Sequence, residues 1–199
     1  MPKPVFHLWI ASQLAEQDPS LYSPDFFLGH IAPDAALSRK DPPADFKNIT
    51  HLARTTEDKS LWTRSVKDYY ASLPTPTLFD LGFCMHIITD IEFRKFMRSY
   101  YDQFHVLSAD RDVYDEALIP LLLQQLFNTP DEYQDCIRLA QASTLTCFPF
   151  SLTQEDMEAN IRYAADAYPE SDTGLLPLIP VPDGQAVGGA IIEVLRHTF

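Results

Sequence analysis

The sequence predicts an all-α fold, and its composition and the spacing of its apolar residues are the main reasons. Only 6 of the 199 residues are glycine whereas 16 are proline. This balance is typical of helices joined by proline-containing loops, because proline fits neither a helix interior nor a central strand. No stretch alternates apolar with polar residues as half-buried strands do. Hydrophobic residues make up 46% of the chain, which is enough for a packed core. We therefore expect a single all-α domain over residues 1–199 with seven or eight helices.

The first part of the chain contains two predicted helices and one short apolar segment. Residues 5–17 carry apolar side chains at helical spacing after Pro4, which can occupy the first turn of a helix. A short apolar segment covers 25–31. Residues 33–50 are predicted to form a loop because they hold three prolines and several charges. Residues 56–71 begin with acidic residues, which favour the N-terminus of a helix.

The segment 77–104 is the strongest predicted helix in the chain. It lacks proline, contains a single glycine, and its first half is almost wholly apolar, so we expect a buried central helix. Each of the remaining predicted helices follows a proline or another residue that favours a helix start. These helices cover 112–127, 131–146, 153–168 and 185–197.

Charge and cysteine content restrict the classes of function. The chain has 15 basic and 28 acidic residues, a net charge of −13, which disfavours general nucleic-acid binding and binding to anionic membranes. No run of 18 apolar residues occurs, so no transmembrane segment is expected. The N-terminal apolar stretch is interrupted by polar residues, and the three cysteines have no framework spacing. We therefore expect neither a secretory signal nor a disulfide scaffold, and we expect a cytoplasmic location.

His86 and Asp90 form the most informative local pattern. Their spacing of four places both side chains on one face of the predicted helix 77–104, among apolar neighbours. A buried carboxylate is costly unless it is paired or bound to a metal ion. The pattern therefore indicates either a hydrogen-bonded pair within the core or part of a metal site.

Asp34, His51 and His7 extend this pattern. Asp34 follows a proline, His51 follows the polar segment, and His7 lies on the first predicted helix. Taken singly, a Pro-Asp dipeptide is common in turns, and a lone histidine on an apolar helix is usually structural. Taken with His86 and Asp90, they supply imidazoles and carboxylates that suit zinc, or iron, manganese or nickel. His7 would allow a second ion, with Asp90 as a bridge.

The order of these residues resembles that of the zinc-dependent phospholipase C family. The likeness covers residues 5–92 and rests on His7, Phe-Leu-Gly-His-Ile-Ala-Pro-Asp ending at Asp34, Thr-His at His51, and His86-x-x-x-Asp90. That family is all-α, shares its fold with the zinc-type single-strand nucleases of fungi, and hydrolyses phosphoesters at up to three zinc ions. The resemblance implies a first ion held by Asp34, His51, His86 and Asp90. It also implies that Asp90 reaches a second ion held with His7.

The chain departs from that family in two respects. Secreted members also use the free amino group of their mature N-terminus as a ligand, whereas no signal peptide is expected here. Their remaining ion needs a downstream histidine followed by His-x-x-x-Glu, and no such motif follows His86. We therefore expect one or two zinc ions.

The expected function is hydrolysis of a phosphoester by metal-activated water. Two ions would activate water and stabilise charge on the phosphoryl oxygens, with Asp34 as the catalytic residue that orients or deprotonates the water. The expected substrate is a small phosphorylated molecule or a lipid head group, and the sequence does not indicate an oligomeric state. Two alternatives stay open. One is a non-catalytic protein of the same fold that keeps one structural ion or binds a partner, and the other is a protein without metal.

Overall fold

The structure is a computed structural model that describes residues 3–39, 41–53, 59–168 and 179–199. These residues form α-helices and short 3₁₀ helices and contain no strand, which confirms the all-α prediction. The α-helices are α1 (Pro4–Gln17), α2 (Pro24–Gly29), α3 (Phe46–Thr50), α4 (Lys59–Ser72), α5 (Leu78–Gln103), α6 (Arg111–Leu123), α7 (Pro130–Gln141), α8 (Gln154–Ala165) and α9 (Gly184–Arg196). The 3₁₀ helices are Pro19–Leu21, Ala32–Ser38 and Ser108–Asp110. No helix within the described ranges combines the length and apolar character needed to cross a membrane.

Helix α5 is the central element, as the sequence predicts. A capping box fixes its N-terminus, in which Thr77 and Asp80 each accept a hydrogen bond from the other's backbone N–H. Its middle turns are fully buried, and α2 packs closely against it. Two glycines permit this approach: a Cβ at Gly82 would meet the Phe26 carbonyl, and a Cβ at Gly29 would meet the backbone of α5. The end of α2 is thereby held against the buried turns of α5.

The predicted loop over 33–50 is wrong in part, because two short helices lie within it. Pro33 occupies the first turn of the 3₁₀ helix Ala32–Ser38, where its fixed φ starts a helical turn and its missing N–H costs nothing. Helix α3 follows Asp45, whose φ of 59° turns the chain in the left-handed conformation. Pro33 therefore begins a helical turn where a loop was predicted.

Other predicted helices also differ in extent. Helix α6 ends at Leu123 rather than at 127, and α8 ends at Ala165 rather than at 168. Helix α7 ends at Gln141 rather than continuing to 146. Beyond it, the Ser143 hydroxyl donates to Asp25 Oδ1 at 2.7 Å, which ties this segment to α2. Of the helix predicted over 56–71, residues 56–58 lie outside the described residues.

Helix α8 holds the 3₁₀ helix Ala32–Ser38 in place from the other side. Asn160 Nδ2 donates to the Ile31 carbonyl at 2.7 Å, and the Arg39 guanidinium donates to the Asp156 carboxylate. One hydrogen bond from Asn160 and two from Arg39 therefore anchor the two ends of the 3₁₀ helix to different turns of α8.

Candidate metal centre

Four structural elements bring the five predicted side chains together in the interior. Helix α1 supplies His7, and α5 supplies His86 and Asp90. The 3₁₀ helix Ala32–Ser38 supplies Asp34, and the residue that ends α3 supplies His51. All five are buried, and Asp34, at 7%, is the most exposed of them. Their proximity is a finding of the structure, whereas their role as metal ligands stays a prediction.

Each carboxylate in this cluster faces two histidines. Asp34 Oδ1 lies 3.3 Å from His51 Nε2, and Asp34 Oδ2 lies 3.9 Å from His86 Nε2. Asp90 Oδ1 lies 3.5 Å from His7 Nε2, and Asp90 Oδ2 lies 3.7 Å from His51 Nε2. The two oxygens of Asp90 thus face different imidazoles, and Oδ2 also lies 3.9 Å from Arg94 Nη2.

Backbone carbonyls set the tautomers of two of the histidines. His86 Nδ1 lies 2.8 Å from the carbonyl oxygen of His30, and His51 Nδ1 lies 2.9 Å from that of Lys47. Because a carbonyl oxygen only accepts, Nδ1 carries the hydrogen in both rings. In the neutral imidazole the lone pair then resides on Nε2, the atom that faces the carboxylates. This is the arrangement of a histidine that binds a metal through Nε2.

The inward-facing atoms of this cluster have no hydrogen-bond partner within the described residues. They are His7 Nδ1 and Nε2, His51 Nε2, His86 Nε2, Asp34 Oδ1, and both carboxylate oxygens of Asp90. An unsatisfied buried polar atom costs about 1–3 kcal/mol, and an unsatisfied charged one costs more. One cation bound among these atoms would satisfy several of them at once. These buried polar atoms could therefore hold a metal ion.

The pKa shifts favour the protonation states that bind a cation. Burial, with the neighbouring His7, lowers the pKa of His86 to about 3, so its imidazole is neutral at physiological pH. Burial tends to raise the pKa of Asp34 and of Asp90, but the facing histidines outweigh it and hold both below the usual value. The cluster therefore combines neutral imidazole with ionised carboxylates.

Two groups of three residues in the described part of the chain could hold a metal ion. One is His7, Asp34 and His86, and the other is His51, His86 and Asp90, with the ligand atoms of each group within 4.8 Å of one another. His86 belongs to both, yet its one free lone pair, on Nε2, binds one ion only. The two groups therefore form one compact centre rather than two independent sites. Mixed nitrogen and oxygen ligands suit zinc and other divalent transition metals.

His30 also belongs to this region, and sequence reasoning did not assign it a role. It is fully buried at the end of α2, and neither ring nitrogen has a hydrogen-bond partner among the described residues. Burial, with the nearby His7 and His86, lowers the pKa of its ring well below the usual value. Its carbonyl orients His86. His30 and Asp34 are four residues apart, but this spacing did not predict a shared helix face because Pro33 interrupts the helix between them.

A groove lies beside Asp34, between the 3₁₀ helix Ala32–Ser38 and α8. It has a volume of about 440 Å³ and is lined by Asp34, Leu37, Ser38, Ala159, Arg162 and Tyr163. Asp34 is the one residue of the centre among the described residues that line it.

Comparison of the chain with protein-family models, with curated proteins and with solved structures finds no match. The fold of the zinc-dependent phospholipase C family therefore stays a prediction.

Proposed function

We propose that this chain is a metal-dependent hydrolase that cleaves a phosphoester with metal-activated water. The observation that carries the proposal is the set of unpartnered, buried imidazole nitrogens and carboxylate oxygens that face one another. A buried hydrogen-bonded core pair would instead satisfy its polar atoms. The metal supplies a water of lowered pKa and positive charge opposite the phosphoryl oxygens.

The proposed ligands divide between two ions. Asp34, His51, His86 and Asp90 would hold the first, and His7 with Asp90 would hold the second. The division is supported by Asp90, which turns one oxygen to His7 and the other to His51. Zinc is the proposed ion, and iron, manganese or nickel would accept the same ligands.

Asp34 is the proposed catalytic residue. It lines the groove, and it is the most exposed of the five proposed ligands, at 7%. A carboxylate in this position accepts a proton from the attacking water and orients that water towards phosphorus. The new oxygen–phosphorus bond forms as the bond to the leaving alcohol breaks, and the alcohol takes up the proton.

The proposed substrate is a small phosphorylated molecule or a lipid head group. The net charge of −13 supports the proposal that general nucleic-acid binding is not part of the function. A cytoplasmic location also stays a prediction.

A non-catalytic metal protein is the second candidate, and the depth of the centre favours it. The four ligands other than Asp34 are at most 2% exposed, and an ion closed off by four protein ligands is structural. Such an ion would stabilise the packing of α1, α3 and α5 without turning over a substrate.

Turnover by zinc-loaded protein separates the two candidates. We expect hydrolysis of p-nitrophenyl phosphate or bis(p-nitrophenyl) phosphate that stops on chelation and returns with zinc. Asp34→Asn should lower kcat, whereas Asp131→Asn on the exposed first turn of α7 should not. A protein that carries its metal, melts earlier on chelation and hydrolyses neither ester would overturn the hydrolase proposal and support the structural one.

A further inference from the structure

The walls of the groove beside Asp34 carry a cation and two exposed apolar side chains. Arg162 and Tyr163 are adjacent on α8, and Leu37 faces them from the 3₁₀ helix Ala32–Ser38. Tyr163 is 54% exposed and Leu37 is 56% exposed. Large apolar side chains of this exposure are few in the described part of the chain, and two of them line this one groove.

Arg162 has no carboxylate partner among the described residues, although the chain is strongly acidic. Glu158 and Asp166 lie one helical turn before and after it, in positions where they could pair with it. No carboxylate of the described residues, however, lies within 4 Å of its guanidinium. The arginines on α6, α7 and α9 each pair with a nearby carboxylate, whereas Arg98 on α5, like Arg162, has no such pair among the described residues. Within the described part of the chain, the Arg162 guanidinium is therefore available to an anion that enters the groove.

Asp34 connects this groove to the centre. Asp34 lines the groove, and its carboxylate faces His51 and His86 in the centre. A phosphate ester whose phosphate bound Arg162 in this groove would place its apolar group along Tyr163 and Leu37. The bonds from Asn160 to Ile31 and from Arg39 to Asp156 hold the two walls at a fixed separation.

We propose that this groove is the substrate-binding site, with Arg162 binding the phosphate and Tyr163 and Leu37 packing against an apolar group esterified to it. The substrate class is a soluble phosphate ester of an aromatic or aliphatic alcohol. This assignment rests on the proposed hydrolase function, since it names the substrate of the same centre. Arg162 is a specificity-determining residue, because guanidinium groups bind phosphate oxygens in pairs.

Calorimetric titration of zinc-loaded protein with phenyl phosphate tests the binding without requiring turnover. Arg162→Gln should raise the Kd for phenyl phosphate about tenfold, the size expected for a charge-assisted contact. Arg138→Gln, an exposed change on α7, is the matched control and should leave the Kd unchanged. Tyr163→Ala should weaken binding of phenyl phosphate but not of inorganic phosphate. An unchanged Kd in Arg162→Gln would overturn the assignment.

The outcomes distinguish this inference from the proposed function. If phenyl phosphate binds through Arg162 but is never hydrolysed, the groove assignment holds and the hydrolase proposal fails. If the ester is hydrolysed with KM and kcat unchanged in Arg162→Gln, the hydrolase proposal holds and the groove assignment fails. Vesicles of phosphatidylcholine with phosphatidic acid should not bind, and binding to them would overturn the assignment to a soluble ester.

Discussion

His7 and His86 stack face to face in the interior, with ring centroids 3.7 Å apart and an interplanar angle of 15°. Both side chains are fully buried. Two imidazolium ions in this position would repel each other, and burial with His7 lowers the pKa of His86 to about 3. The His86 ring is therefore neutral at physiological pH, and the Nε2 atoms of the two rings face the carboxylates of Asp34 and Asp90. The Nε2 atoms of this stacked pair are therefore placed to bind a cation.

Replacing His86 should remove the metal. His86→Gln keeps a polar side chain of similar size but loses the Nε2 atom common to both candidate ligand groups. We expect metal content and ester hydrolysis to fall to background while the circular dichroism spectrum stays helical. His197→Gln is the matched control, because that ring is 84% exposed and lies at the end of α9. Metal retained in His86→Gln at the wild-type level would contradict the assignment.

Replacing Thr50 should weaken metal binding, although Thr50 is not one of the proposed metal ligands. Its hydroxyl donates to the Pro33 carbonyl at 3.0 Å, which joins α3 to the 3₁₀ helix that carries Asp34. Thr50→Val keeps the shape but leaves that buried carbonyl without its partner, and should cost about 1–2 kcal/mol of unfolding free energy. Metal affinity should fall about tenfold, as for other groups that support ligands.

Competition with a fluorescent chelator and urea denaturation measure the two effects of Thr50→Val. Thr198→Val, which removes an exposed hydroxyl at the C-terminus of α9, is the control and should change neither quantity. Weakened stability with unchanged metal affinity would show that the bond to Pro33 supports the fold alone.

Gly82 and Gly189 are both helical, yet alanine should act in opposite directions at the two positions. A Cβ at Gly82 would meet the Phe26 carbonyl, so Gly82→Ala should push α2 from α5 and cost about 1–3 kcal/mol. Nothing lies within 4 Å of a Cβ at Gly189, so Gly189→Ala should stabilise α9 by about 0.5–1 kcal/mol. Chemical denaturation checks both, and destabilisation by Gly189→Ala would conflict with this packing.

The bond between Arg39 and Asp156 should make stability depend on pH. Hydrogen bonds from Arg39, opposed by burial, hold the pKa of Asp156 below its usual 3.8. Its contribution is therefore fully present above pH 3.8 and is lost as the pH falls through the lowered value. Asp156→Asn should cost about 1–2 kcal/mol near neutrality and progressively less below pH 3.8.

Denaturation at several pH values measures this dependence. Asp135→Asn, at an exposed pair with Arg138, is the control and should change stability by less than about 0.5 kcal/mol. A cost for Asp156→Asn that stays constant down to the lowest pH would rule out the ionic contribution.

The central helix and the cluster were predictable for a physical reason. Apolar periodicity without proline marks α5, and a spacing of four places His86 and Asp90 on one face of any helix. The short 3₁₀ helix Ala32–Ser38 was not predicted, because proline occurs both where a helix begins and where one is interrupted. The sequence alone does not distinguish these two cases. The groove could not be predicted from the sequence. Asp34 and Arg162 line it together only because α8 packs against the 3₁₀ helix Ala32–Ser38.

Metal content per chain, measured by plasma mass spectrometry on untagged protein purified without chelator, tests the central claim most directly. We expect two equivalents of a divalent transition metal, zinc foremost, falling to one in His7→Gln. A single equivalent would leave the structural-ion candidate. No bound metal, together with an unchanged Tm in excess chelator, would contradict the metal centre and leave these histidines and aspartates as polar groups of the core.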